Sequence, residues 1–211
     1  MEQNNKNLIP HVHMPNLNME LFTKYEVELA KVLSSDKERY WHSISVALTA
    51  VTLADTYNAN KDDCLVAGLL HDYCKCMSVD EMLRLSKEHG LQLSDEDIKA
   101  DGCIHGFLAA KLCKDKFGIN DEVYNAIYYH TCGKPNMNAL EKIIYISDFI
   151  EPLRRFRDRV SDIRRLCFTN IDLAIVKSSE ASLEFLKRNN KFIHSNTIKT
   201  LEYYKEKCNV K

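Results

Sequence analysis

The chain has 211 residues, 45% hydrophobic and 28% charged, with a net charge of -1, a length that suits one domain with a sizeable core. Six Gly and four Pro are few for a turn-rich all-β protein, and the near-neutral balance gives no whole-chain basic field for a nucleic-acid partner. No signal-peptide h-region and no run of roughly 18 apolar residues is present, which predicts a cytoplasmic protein with no membrane partner.

Residues 1–18 (MEQNNKNLIPHVHMPNLN) are Asn-rich, hold two prolines and show no sustained periodicity. They are read as an N-terminal extension to a single domain over residues 19–211. The His11-x-His13 pair in it has metal-binding spacing, but in a tail without structure the plainer reading is two solvated imidazoles. From Met19 onward the pattern is helical. Ser35-Asp-Lys-Glu38, Ser78-Val-Asp-Glu81 and Asn138-Ala-Leu-Glu141 resemble capping boxes, and Gly90 and Gly118 stand where helices end. Trp41, Ile44, Leu48, Val51 and Ala54 form one apolar stripe; Ile143, Ile146, Phe149 and Ile150 form another. Residues 171–186 continue the habit, and residues 198–204 form a shorter last helix. The eight Cys include no CxxC pair, Cys74-x-Cys76 being the closest spacing. In the cytoplasm they read as reduced packing residues, not as a disulfide framework. The expected fold is an all-α bundle of roughly eight to ten helices, with no strand pattern.

The chemistry concentrates in Ala67-Gly-Leu-Leu-His-Asp-Tyr-Cys-Lys75, where an apolar helix runs into His71, Asp72 and Lys75. A buried His beside a buried carboxylate is costly unless each finds a partner, and a metal ion serves both. Adjacent helix positions do not share a face, so further ligands must arrive from other helices. His42 lies in an apolar helix, and Asp148 lies in Ile-Ile-Tyr-Ile-Ser-Asp-Phe-Ile, where an unpaired carboxylate needs a reason. Singly, each has an ordinary explanation: a hydrogen-bonded core histidine, or an aspartate that caps or pairs with Arg154 or Arg155. Together, two imidazoles and two carboxylates make a mixed N/O set suited to iron, manganese or zinc.

The order His42, His71-Asp72, Asp148 resembles the HD superfamily of metal-dependent phosphohydrolases. Arg39-x-x-His42-Ser43, Ala67 to Lys75, His105-Gly106, Ala126-Ile-x-x-His-Thr-x-Gly133 and Asp148-Phe-Ile-Glu-Pro-x-Arg154 are similar to the bacterial HD-domain family that cleaves diadenosine tetraphosphate symmetrically. The likeness spans residues 25–186, with Cys74 and Ser147 standing where small residues such as Ala are expected.

That resemblance implies an HD-domain helical bundle and a metal, most naturally iron, on His42, His71, Asp72 and Asp148. It implies an optional second metal on Asp72, His105 and His130, or else two histidines facing substrate phosphates. Metal-activated water would cut diadenosine tetraphosphate to two ADP, with Asp72 orienting the water. Lys75, Arg39, His105 and His130 would steady the polyphosphate. Arg39 stands one turn before His42, and Lys75 is expected to project beside His71 from the same helix. Arg154 follows Asp148 across Pro152, so spacing does not fix its direction. Tyr128 and Tyr129 could stack the adenine, with packing the plainer reading. A substrate of another kind, such as a nucleoside monophosphate, a deoxynucleoside triphosphate or a signalling nucleotide, is the nearest alternative. A non-catalytic nucleotide-binding or interaction domain is the alternative of another class, disfavoured by the intact His-Asp pair. Exposed apolar helix faces could support a homodimer.

Overall fold

A computed structural model describes residues 17–154 and 158–210. His11, His13 and Arg155 lie outside these residues. Among them, eleven helices and no strands occur: α1 (Met19–Val32), α2 (Lys37–Ala54), α3 (Lys61–Leu70), α4 (Val79–Glu88), α5 (Asp95–Lys99), α6 (Asp101–Phe117), α7 (Asp121–Tyr129), α8 (Ala139–Ile150), α9 (Asp158–Leu166), α10 (Ile171–Arg188) and α11 (Ser195–Lys207). The all-helical expectation holds. The count runs one above the expected range, since α5 is a five-residue turn too short to display a period.

Short polar side chains start almost every helix. Asn18, Asn60, Asn120 and Asn170 each accept a hydrogen bond from the backbone N–H three residues on, satisfying one orphan donor. Asn138 and Ser94 form complete capping boxes with Glu141 and Asp97. Ser78 caps α4 without a reciprocal bond from Glu81. At α2 the expected Ser35 box is displaced by one residue: Asp36 is the cap, accepting from Arg39 N at 2.9 Å. Gly90 and Gly118 adopt the left-handed conformation that ends α4 and α6, at φ 69° and 64°.

Two helices form the centre. In α3 every residue from Cys64 to Leu70 is buried, and in α8 nearly all of the apolar run from Ile143 to Ile150 is buried. A helix apolar on all sides belongs inside a bundle. Accordingly α1, α2, α7 and α8 surround α3, while α2, α3, α7, α9 and α10 surround α8. The α8 stripe is as expected. The α2 stripe is so only in part: Ile44, Val51 and Ala54 are buried, but Trp41 is 57% exposed and Leu48 is exposed too, and the core face runs through Ala47, Ala50, Val51 and Ala54. The small residues on that face allow α2 to lie close against α3. A Cβ added at Gly68 would fall 2.5 Å from Ala47 Cα, so only glycine admits this approach. That contact fixes the distance between His42 on α2 and His71 at the end of α3.

Among the described residues no helix is long and apolar enough to cross a membrane. All eight cysteines are free thiols, six of them buried.

Candidate metal centre

Helix ends converge on the site. His71 is the C-cap of α3 and His130 the C-cap of α7, while Asp148 and Glu151 lie at the close of α8. The end of α8 is anchored by Arg164 of α9, which donates from Nη2 to the Glu151 carbonyl at 2.7 Å. Helix α3 stops at Leu70, and residues 71–76 continue in tight turns with Lys75 N bonded to Asp72 O at 2.9 Å. Lys75 therefore reaches the site from a turn, not from the His71 helix. The turn suits the ligand problem better, because it frees neighbouring side chains from helical divergence.

The four histidines pack edge to face. Ring centroids of His42 and His71 are 5.3 Å apart, those of His71 and His130 5.0 Å, and those of His105 and His130 5.0 Å. Each of three rings has one nitrogen committed to the protein. His71 Nδ1 donates to Gly68 O at 2.8 Å, His130 Nδ1 donates to Ile127 O at 2.7 Å, and His42 Nδ1 faces the buried Glu151 carboxylate at 3.1 Å. For His71 and His130 such bonds place the proton on Nδ1 and aim Nε2 inward, and Glu151 orients His42 from behind in the same way, the usual outer support of a metal-bound imidazole. Gly106 makes room for one of them, since a Cβ there would meet His130 Cε1 at 2.8 Å.

Asp72 stands between two groups. Its Oδ2 lies 3.4 Å from His71 Nε2 and 3.7 Å from His42 Nε2, and its Oδ1 lies 3.0 Å from His105 Nε2 and 3.8 Å from His130 Nε2. His42, His71 and Asp72 form one cluster able to hold a metal ion; Asp72, His105 and His130 form a second. Asp148 stands beside the first, with Oδ1 2.9 Å from His42 Nε2 and 3.8 Å from His71 Nε2. The residues fit a metal on a direct observation. His71 Nε2 is fully buried, has no hydrogen-bond partner, and points its lone pair at two carboxylates. A metal cation placed there would satisfy all three groups at once.

The cations at the rim are engaged. Arg39 Nη1 donates to Asp72 Oδ2 at 2.8 Å, and Arg154 Nη2 to Asp148 Oδ1 at 2.7 Å. Both thus hold candidate ligands in place while keeping part of the guanidinium exposed. Lys75 Nζ sits 3.3 Å from both ring nitrogens of His105. Burial works against charge on Asp72, yet His71 and His105 hold its carboxyl well below the usual range. Asp148 is likewise held low against its burial, by Arg154 and His42. Burial, with His105 and His71 alongside, pushes His130 down to about 3. Burial opposes a proton on His42, but its bonds to Asp148 and Glu151 outweigh that and raise it to about 9.

Every candidate ligand named from sequence therefore meets at one place. The chain belongs to the HD-domain family. The HD domain matches residues 39–153, which carry all of these side chains except Arg154. A symmetrical bis(5'-nucleosyl)-tetraphosphatase of Staphylococcus aureus is 36% identical over 186 residues, 84% of this chain and 94% of that protein. One of Halalkalibacterium halodurans is 38% identical over 167 residues, 78% of this chain and 87% of that one. The crystal structure of a predicted HD superfamily hydrolase involved in NAD metabolism from Clostridium acetobutylicum aligns with TM-score 0.83 at 36% identity, covering 88% of this chain and 97% of that one. Family and geometry agree on a metal-dependent hydrolase centre of the HD type.

Two residues escaped the sequence argument. Glu151 was visible only as part of a motif, and its role depends on a contact across 109 positions. Gly68 stood in the sequence only as one letter of the motif over residues 67–75, with no packing role assigned to it. Tyr128 and Tyr129 serve packing: Tyr128 lies 4.5 Å from the Phe107 ring and 5.8 Å from Tyr124, and Tyr129 lies under Lys134.

Proposed function

We propose that this HD-domain protein hydrolyses a nucleotide phosphoanhydride, and that its substrate is diadenosine tetraphosphate, cut symmetrically to two ADP. The observation that carries the reading is the unpartnered, buried Nε2 of His71 between two carboxylates, beside a second cluster that shares Asp72. The names of the relatives with 36% and 38% identity support the choice of substrate.

His42, His71, Asp72 and Asp148 would hold one transition metal, with iron first and manganese or zinc as alternatives for a mixed N/O set. Asp72, His105 and His130 would hold an optional second. Such an ion supplies Lewis acidity, lowering the pKa of water and polarising a phosphoryl oxygen. Asp72 accepts a hydrogen bond from the attacking water and turns its lone pair toward phosphorus. Lys75, half-buried beside His105, brings an ammonium to the phosphoryl oxygens, and Arg39 and Arg154 bring guanidinium groups to the flanking phosphates. His130 has its Nδ1 proton committed to Ile127, so its Nε2 is an acceptor, which favours the second-ion role over donating to phosphate. One water is consumed: its oxygen bonds one central phosphorus, and the bridging oxygen leaves with the other ADP.

We take residues 19–211 as one catalytic domain, since the described helices share a core, and the cytoplasm as its compartment, where free thiols persist. The test is product analysis with diadenosine tetraphosphate and protein loaded with Fe(II) or Mn(II). Two ADP per substrate, lost on chelation, is the expected result. Full metal binding with no turnover would move the proposal to another nucleotide, and failure to bind metal would overturn it.

A further inference from the structure

A cleft of about 870 Å³ opens beside His42, and its wall includes Trp41, Arg39, Leu153 and Arg154. Trp41 is the sole tryptophan in the chain and is 57% exposed, although it occupies a helix whose opposite face is core. It is not loosely placed. The Tyr40 ring meets it edge-on at 5.2 Å and 76°, and Tyr40 is itself tied to Glu26 of α1 through its hydroxyl at 2.5 Å. The cleft also holds Asp36, Glu38 and Glu151, and its two arginines pair with Asp72 and Asp148 while keeping part of each guanidinium exposed. The open aromatic surface therefore suits a flat partner whose anionic end reaches those exposed guanidinium groups at the metal side.

We infer that Trp41 is the platform on which a nucleobase of the substrate stacks, and that it sets the preference for nucleoside polyphosphates over inorganic polyphosphate. The inference rests on the nucleotide phosphohydrolase reading given above. Arg39, Trp41 and His42 of α2 all line this cleft, so a base on Trp41 and a phosphate on Arg39 would both lie close to the candidate metal ligand. Arginine provides bidentate contact to phosphate oxygens, and an indole face provides sequence-tolerant stacking, since every base has a π-face. Leu153, 53% exposed in the same cleft, offers apolar surface to the base as well. Trp41 acts in binding and touches no bond that breaks, so its loss should raise KM and leave kcat nearly unchanged.

Because the chain has one tryptophan, its emission reports this position alone. The experiment titrates metal-loaded protein with ADP and, separately, with inorganic tripolyphosphate, reading tryptophan emission and binding heat together. ADP should quench the emission and tripolyphosphate should bind without doing so. Trp41→Ala, at an exposed position, should weaken ADP by about tenfold and leave tripolyphosphate unaffected, and Trp41→Phe should restore most of the loss. Equal ADP affinity in Trp41→Ala, or the same quench from both ligands, would overturn the assignment of Trp41 while leaving the phosphohydrolase reading intact. Emission that shifts with protein concentration and ignores ADP would overturn it in favour of a second copy of the chain covering the ring. No ADP binding by heat in metal-loaded protein would overturn both readings.

Discussion

Glu151→Gln separates a centre organised from behind from one that depends on its ligands alone. Glu151 is 1% exposed; one carboxylate oxygen faces His42 Nδ1 at 3.1 Å and the other accepts from Leu153 N at 2.6 Å. Glutamine offers one acceptor oxygen in place of two. If that oxygen keeps His42, the new NH2 opposes the Leu153 N–H, leaving a buried donor unsatisfied at about 1–3 kcal/mol. If it keeps Leu153, the NH2 donates to His42 Nδ1 and the ring proton moves to Nε2, the atom a metal needs. Either outcome weakens the centre. Loss of an outer partner of this kind lowers metal affinity by about 10- to 100-fold, equivalent to about 1.4–2.7 kcal/mol. The assay is Mn(II) competition against a fluorescent chelator, run beside thermal melting of the metal-free variant. An affinity within about twofold of the parent, in a variant whose metal-free melting temperature has fallen, would refute the reasoning and leave Glu151 as packing for the end of α8.

Further outcomes follow from the same geometry. In metal-free protein the His42 pKa of about 9 lies above the ordinary value near 6.5, so its contribution to stability is complete below pH ~6.5 and is lost as pH rises through about 9. Metal binding requires the neutral ring, so binding near pH 7.5 should release about one proton, seen as an enthalpy that varies with buffer ionisation heat; an enthalpy independent of buffer would contradict this. Asp72→Ala should lose metal and reduce turnover by about 100- to 10,000-fold, whereas Lys75→Ala should retain metal and raise KM by about 10-fold or more. A fully active Asp72→Ala would sink the shared-carboxylate arrangement.

The sequence by itself determined the helical class and singled out the candidate ligands. An apolar helix cannot hide His71, Asp72 or Asp148 without a strong partner, and that cost is visible wherever polar residues interrupt a buried stripe. Capping residues were legible for a similar local reason, although a one-residue shift at Asp36 shows how closely Ser and Asp compete for the cap. What a side chain faces is not local. The α2 stripe misassigned Trp41 because a period of 3.6 identifies a helix but does not say which edge of an apolar arc meets the bundle. Glu151 gained its role only when the end of α8 was folded against α2, and Gly68 only when α3 was pressed onto Ala47. Tertiary structure likewise decided that Asp72 stands between two clusters, since that depends on where α6 and α7 deliver His105 and His130. Composition and period report the cost of burying a group, and only packing determines which neighbour offsets it.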